Sequence, residues 1–262
     1  CLGDPYSDSP DQAILPWRGR ITTSKAPGQE GSPDGTAQAA AQVDAFFGTA
    51  VASDFSILTN TLFPPSQSGS YNPFTNNATW FISSVQYSGP DEWSYRRFIL
   101  HQAALCKAAG GVESFCIGSE MRGLTQIRGA NNSFPAVAHM IDLAQEVRAL
   151  RGPDVKISYA ADWSEYFGYQ PNDGTGDVFF HLDPLWANDD IDFIGIDNYM
   201  PLSDWRDGQD HLDAEWGSIY NLEYLKANVQ GGEGYDWFYH SQQARDAQIR
   251  TPITDGAFNE PW

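Results

Sequence analysis

Phe115-Cys116-Ile117-Gly118-Ser119-Glu120-Met121 decides the fold. A short apolar run ends abruptly in a carboxylate. The run is too short for a helix and predicts a buried strand. Before it, residues Trp93 to Ala109 read as a helix closed by Gly110-Gly111. After it, a loop carrying Arg122, Gln126 and Arg128 leads to a second helical stretch, Phe134 to Leu150. Helix, strand, helix in this rhythm predicts an α/β fold with a parallel sheet and crossover helices. In such folds ligands bind at the carboxyl ends of the strands. Glu120 stands at that place and is the first candidate for chemistry.

Working outward, Val155 to Ala161 predicts another strand, and its end carries Asp162-Trp163-Ser164-Glu165-Tyr166. Asp190 to Ile196 predicts a third, ending in Asp197-Asn198-Tyr199. Three successive strands thus end in polar or aromatic clusters, and polar tips converging on one rim make a site. Upstream, Ala37 to Phe47 predicts an Ala-rich helix, with Ser32 and Pro33 as cap and first turn. Asp54–Thr59 and Thr79–Tyr87 predict a β-hairpin excursion with a long polar tip, Pro64–Asn77. Asp91 or Ser88 is placed to cap the helix that follows. Downstream, short helices are expected near Glu215–Ala227 and Ser241–Arg250. Thr251 to Gly256 approaches a strand, but Pro252 bars it from a central position.

The chain has 262 residues, enough for one large α/β domain, and 41% are apolar. Nine Trp, twelve Tyr and fifteen Phe are a high aromatic load; core filling accounts for most of them, and a surplus of flat rings suits sugar-binding clefts. A net charge of −19 repels phosphate backbones and anionic membrane surfaces. No apolar run is long enough for a membrane-spanning helix. Cys1, Cys106 and Cys116 form no metal spacing and no even disulfide framework. Cys106 in a helix and Cys116 in a strand are expected as buried free thiols.

Glycoside hydrolysis needs two carboxyl groups flanking the scissile bond. Glu120 suits the acid, because an apolar strand end with aromatic neighbours keeps a carboxyl protonated. The alternative is an ion pair with Arg122 or another Arg. Asp162, Glu165 and Asp197 are candidates for the second carboxylate, or else cap segments and bond loop amides. Trp163 and Tyr199 are expected to line the site. His101, His139, His181, His211 and His240 form no His-x-x-x-His pair. No phosphate-binding loop, dinucleotide fingerprint or nucleophile elbow occurs, so no cofactor is expected; His181 and Asp183 are metal-ligand types, but two residues are too weak a signal for a metal to be expected.

These strand ends, together with Trp93-Ser94-Tyr95-Arg96-Arg97-Phe98 and Pro252-Ile253-Thr254-Asp255-Gly256, resemble the TIM-barrel-like domain of a large tail hub protein. That hub, sometimes called megatron, belongs to gene transfer agents and related tailed phages. The resemblance spans essentially the whole chain. It implies a (β/α)8 glycosidase-like barrel related to clan A glycoside hydrolases, with Glu120 at the acid/base position. Ser119 stands where that clan usually has the Asn that contacts a sugar hydroxyl. The clan's nucleophile, at the end of strand seven, is expected after Trp262, and strands one and two before Cys1. Residues 1–262 are therefore expected to be the central portion of a longer barrel domain, with a hairpin insertion and long loops. The implied role is a baseplate component of a phage-like virion. It would act on, or bind, cell-envelope glycan at the extracellular or periplasmic face during DNA delivery. Ser119, Asp162, Trp163, Glu165, Asp197 and Tyr199 would contact the glycan. Other tail and baseplate proteins are the remaining expected partners, with neither nucleic-acid binding nor membrane insertion. The alternative is an inactive structural or carbohydrate-binding module.

Overall fold

The computed structural model describes residues 17–61, 81–166, 168–199 and 202–253. Cys1, the expected hairpin tip Pro64–Asn77 and Thr254-Asp255-Gly256 lie outside the described residues. The chain divides into two units, Cys1–Asp197 and Asn198–Trp262.

In the first unit, α1 (Ala37–Phe47) buries Ala39, Val43 and Phe47, one stripe at helical spacing. Its cap is Thr36, whose hydroxyl accepts the Ala39 amide at 3.4 Å. Ser32, the expected cap, instead accepts the Asp34 amide. The Pro33–Thr36 turn delays the helix, and Gly35 supplies its positive φ of 79°. Gly48 ends α1 at φ 72°, where a Cβ would lie 2.3 Å from Ser94 Cβ. Strands β1 (Phe55–Thr61) and β2 (Phe81–Tyr87) then pair antiparallel, from Phe55 opposite Tyr87 to Thr61 opposite Phe81. This is the expected hairpin.

Helix α2 (Tyr95–Ala108) is capped by Ser94, not by Asp91 or Ser88. Glu92 sets the approach: it accepts the Thr49 and Ala50 amides and the Ser94 hydroxyl. The buried face of α2 carries Ile99, Leu100, Ala103 and Ala104, with Arg96 reaching the Ala50 carbonyl at 2.8 Å. Then come β3 (Ser114–Ser119), α3 (Arg122–Thr125), α4 (Pro135–Arg151), β4 (Lys156–Asp162), α5 (Trp163–Tyr166), α6 (Asp183–Trp186) and β5 (Gly195–Asp197). Pro135 opens α4, where its missing N–H costs nothing. Met140, Leu143, Ala144 and Val147 of α4 are fully buried.

Strands β3, β4 and β5 form one parallel sheet in that order. One face packs on the helices through Ile117, Ile157, Tyr159 and Ala161, in a core shared with Val43, Phe47 and Leu100. Each fully buried Leu or Phe contributes about 1.5–3 kcal/mol. The expectation of a strand buried on both faces is corrected for β3. Only Ile117 is fully covered, and Cys116 on the opposite face is exposed. Cys106 and Cys116 are free thiols, with Cys106 only partly covered. The expected third strand, Asp190–Ile196, shrinks to Gly195–Asp197; its first half keeps one backbone bond, from the Asp192 amide to the Ile157 carbonyl at 2.8 Å, and side chains supply others. Asp192 accepts the Ile157 amide at 2.7 Å, and the Ser158 hydroxyl bonds the Phe193 carbonyl. Gly195 presses on β4, since a Cβ there would meet the Tyr159 carbonyl oxygen at 2.6 Å. Among the described residues this parallel sheet has three strands and no closed barrel.

The second unit holds α7 (Leu222–Gln230), β6 (Trp237–Phe238), α8 (Gln242–Asp246) and β7 (Thr251–Pro252). The helix expected from Glu215 starts later, because a 3-10 turn at Ala214–Trp216 ends on left-handed Gly217. Asn221 then caps α7. The helix expected to reach Arg250 stops at Asp246, before Gln248 turns at φ 50°. Pro252 pairs with Trp237 in a two-residue strand, consistent with its exclusion from a sheet centre. Tyr224 and Ala244 are the buried apolar side chains among the described residues of this unit. Charged groups hold it together: Arg250 reaches Asp204 at 2.7 Å and Asp213 at 2.9 Å, and both carboxylates are nearly covered. Burial alone would raise the Asp204 carboxyl, but bonds from Tyr239, Arg250 and Gln248 hold it below its ordinary range.

Candidate functional site

The tip of β3 is shaped by what Glu120 does to the backbone. Its amide still bonds the Ala160 carbonyl at 2.8 Å, one step beyond the paired strand. Its φ is then +51°, a left-handed conformation that a non-glycine residue adopts only under outside constraint. The chain turns away there, and the Met121 amide donates to the Tyr159 hydroxyl at 2.7 Å.

Arg18, from the 3-10 turn Trp17–Arg20, grips this tip. Its Nε donates to the Ser119 carbonyl at 2.9 Å. Its terminal nitrogen reaches the Ser119 hydroxyl at 3.2 Å and Glu120 Oε2 at 2.8 Å. The Ser119 hydroxyl in turn donates to Asp197 Oδ2 at 2.9 Å, across β4 to the end of β5. Small residues permit that reach, because Ser119 registers with Ala160, and Ala160 with Gly195. The structure therefore brings Ser119, Glu120 and Asp197 to one rim with a guanidinium among them. Arg18 is about half exposed and Glu120 mostly covered, at 49% and 17% of their side-chain surface. The Arg expected as an alternative partner for Glu120 is thus present, but it is Arg18. Arg122 instead bonds the Ser164 hydroxyl at 2.8 Å.

Asp162 registers beside Asp197 at the end of β4. Its Oδ1 accepts the Ser164 amide at 2.9 Å and also the Ser164 hydroxyl, which closes the first turn of α5. Trp163 follows with 40% of its surface exposed. Glu165 departs from expectation. It is fully buried, so its carboxyl cannot touch a ligand at the rim. It accepts from the Thr125 and Tyr159 hydroxyls and from the Asp162 amide. Burial pushes this carboxyl up to about 7, against the pull of those hydrogen bonds. Burial also drives the Tyr159 hydroxyl well above its ordinary value. Tyr199 belongs to the second unit, where it is exposed. Among the described residues no group of three or more His, Cys, Asp and Glu side chains is placed to hold a metal.

Sequence reasoning missed Arg18, Tyr159 and Thr125 as parts of this arrangement. Arg18 lies 101 residues before Ser119 and carries no local mark of its partner. Tyr159 did carry a signal: it alternates with Ile157 and Ala161 on the core side, where a hydroxyl must find a buried acceptor.

The rim presents carboxylate acceptors, a guanidinium donor and a partly exposed indole face. Among the described residues no helix is long and apolar enough to cross a membrane. No curated protein matches the chain. The family described as the GTA TIM-barrel-like domain matches residues 93–262, where GTA denotes gene transfer agent. That match covers more than half of the sequence and takes in β3, β4 and β5 with their polar tips, so the chain belongs to the TIM-barrel-like domain family of gene transfer agents.

Proposed function

We propose that the chain is part of the tail or baseplate of a gene-transfer particle and that its rim binds neutral glycan of the recipient cell envelope. The observation that carries this reading is the hydrogen-bonded line Arg18–Ser119–Asp197 beside Glu120 at the carboxyl ends of parallel strands. Sugar hydroxyls both donate and accept, so they pair with Glu120 and Asp197 on one side and Arg18 on the other. The Trp163 face offers apolar contact to ring C–H groups. A net charge of −19 favours a neutral ligand over a polyanionic one. The recipient's extracellular or periplasmic face, with other tail proteins alongside, is the setting this role requires.

A second reading, hydrolysis with Glu120 as acid/base, is supported by the carboxylate's place at the strand tip. Binding is preferred, because the Arg18 guanidinium already occupies Glu120 Oε2 at 2.8 Å, where a general acid would have to face the scissile oxygen. Calorimetric titration with uncharged cell-wall oligosaccharides tests the choice. Glu120→Gln and Asp197→Asn should each weaken binding about tenfold, with no reducing sugar released by the parent protein. Sugar release that disappears in Glu120→Gln would establish the second reading. A parent protein that neither binds nor cleaves these oligosaccharides would sink both.

A further inference from the structure

Beneath the rim, Glu165 ties α3 to β4 through three donors. Thr125 of α3 donates to its Oε1 at 2.5 Å. The Tyr159 hydroxyl of β4 donates at 2.9 Å to the same oxygen and stands 3.1 Å from the other. The Asp162 amide donates to Oε2 at 3.1 Å. The oxygen of Tyr159 meanwhile accepts the Met121 amide, immediately after the left-handed Glu120. We infer that Glu165 is a positioning residue: its carboxylate turns the Tyr159 hydroxyl so that its oxygen receives Met121, and thereby fixes Glu120 at the rim.

A tyrosine hydroxyl has a single proton. When Glu165 is ionised that proton points to the carboxylate, leaving a lone pair for the Met121 amide. A protonated Glu165 donating toward Tyr159 would turn the phenolic proton elsewhere and weaken its hold on Met121. Burial brings both states within reach near neutrality. The charged and titratable groups around the carboxyl are Asp162 and Tyr159 of β4, Arg122 of α3 through Ser164, and Tyr95 of α2 beyond Tyr159.

The affinity arm of this inference rests on the glycan-binding reading; the conformational arm does not. Glu165→Gln leaves one donor facing another, because an amide cannot accept at both ends. Tyr159→Phe removes the hydroxyl and keeps the ring. Hydrogen-exchange protection of the Met121 amide should fall about tenfold or more in both variants. Ile157 protection, unchanged, certifies the fold. In the parent protein, Met121 protection and oligosaccharide affinity should vary together between pH 6 and 8, and both should lose that dependence in Glu165→Gln. Unchanged Met121 protection in both variants overturns the inference. Where the parent binds oligosaccharide, altered protection with parent-like affinity overturns it too. Altered protection in the variants of a parent that binds no oligosaccharide would uphold the positioning of Glu120 and retire the binding reading instead.

Discussion

Replacing Glu165 by Gln also tests the energetics of the buried carboxyl. In the folded chain burial lifts its pKa from 4.5 to about 7, so the folded state holds the proton more tightly than the unfolded state does. Its contribution to stability is therefore fully present below pH 4.5 and is lost as pH rises through 7. That displacement is worth about 3 kcal/mol, undiminished by solvent because the side chain is completely covered. Gln does not titrate. The unfolding free energy of Glu165→Gln minus that of the parent should thus rise by about 3 kcal/mol between pH 4.5 and pH 8. Any fixed cost of the amide drops out of this difference. Urea unfolding followed by tryptophan fluorescence at several pH values supplies both curves. His181 acts in the opposite direction. Burial pushes its imidazole from 6.5 down to about 4, so its contribution is present above 6.5 and lost as pH falls through 4. The two nearly cancel in the parent between pH 4.5 and 6.5, whose curve should be flat there, while Glu165→Gln unmasks the acid lability due to His181. A difference between variant and parent that stays constant within about 0.5 kcal/mol across the range would refute the reasoning.

Two further outcomes are expected. Gly123→Ala would place a Cβ 2.2 Å from the Gly19 carbonyl oxygen and 3.0 Å from that of Ile21. The Trp17–Arg20 turn must move, so Arg18 should leave Glu120 and stability should fall by about 2 kcal/mol, read by a structure of the variant and by thermal unfolding. Arg250→Ala removes the cation shared by Asp204 and Asp213; Asp204 keeps Arg206 at 2.8 Å, while Asp213 loses its ion pair. Amide protection across α7 should fall by the equivalent of about 3 kcal/mol, and retention of parent-like protection there would show that the network is dispensable.

Much of the architecture was legible because it is local. Helices α1, α2 and α4 declare themselves by apolar spacing, and the hairpin by two runs of strand character around a polar tip. The errors fall where a side chain replaces a backbone bond. Thr36 rather than Ser32 caps α1, because a turn intervenes. Ahead of the short β5 a single backbone bond to β4, from the Asp192 amide, is joined by side-chain bonds of Asp192 and Ser158. Ser119, Glu120 and Asp197 were legible as strand ends, and their convergence follows from parallel order alone. Arg18 was not, since no local pattern reveals which distant carboxylate a guanidinium will meet.

Carboxyls that look alike in a sequence are given different work by depth. Asp162 and Asp197 each follow an apolar strand directly, Glu165 comes three residues after the first, and all three were expected at the rim. Asp197 takes the hydroxyl of Ser119 across the sheet. Asp162 spends one oxygen on closing α5. Glu165 lies one helical turn further along, which carries it under the strand ends into full burial. There a carboxylate has no value as a ligand contact, but three donors from α3 and β4 make it a fixed point. The rim carboxylate and the buried one are then linked by a single tyrosine and a single amide. Glu120 is held from above by Arg18 and from below by that link, which is how a non-glycine residue keeps a left-handed backbone at the edge of the sheet.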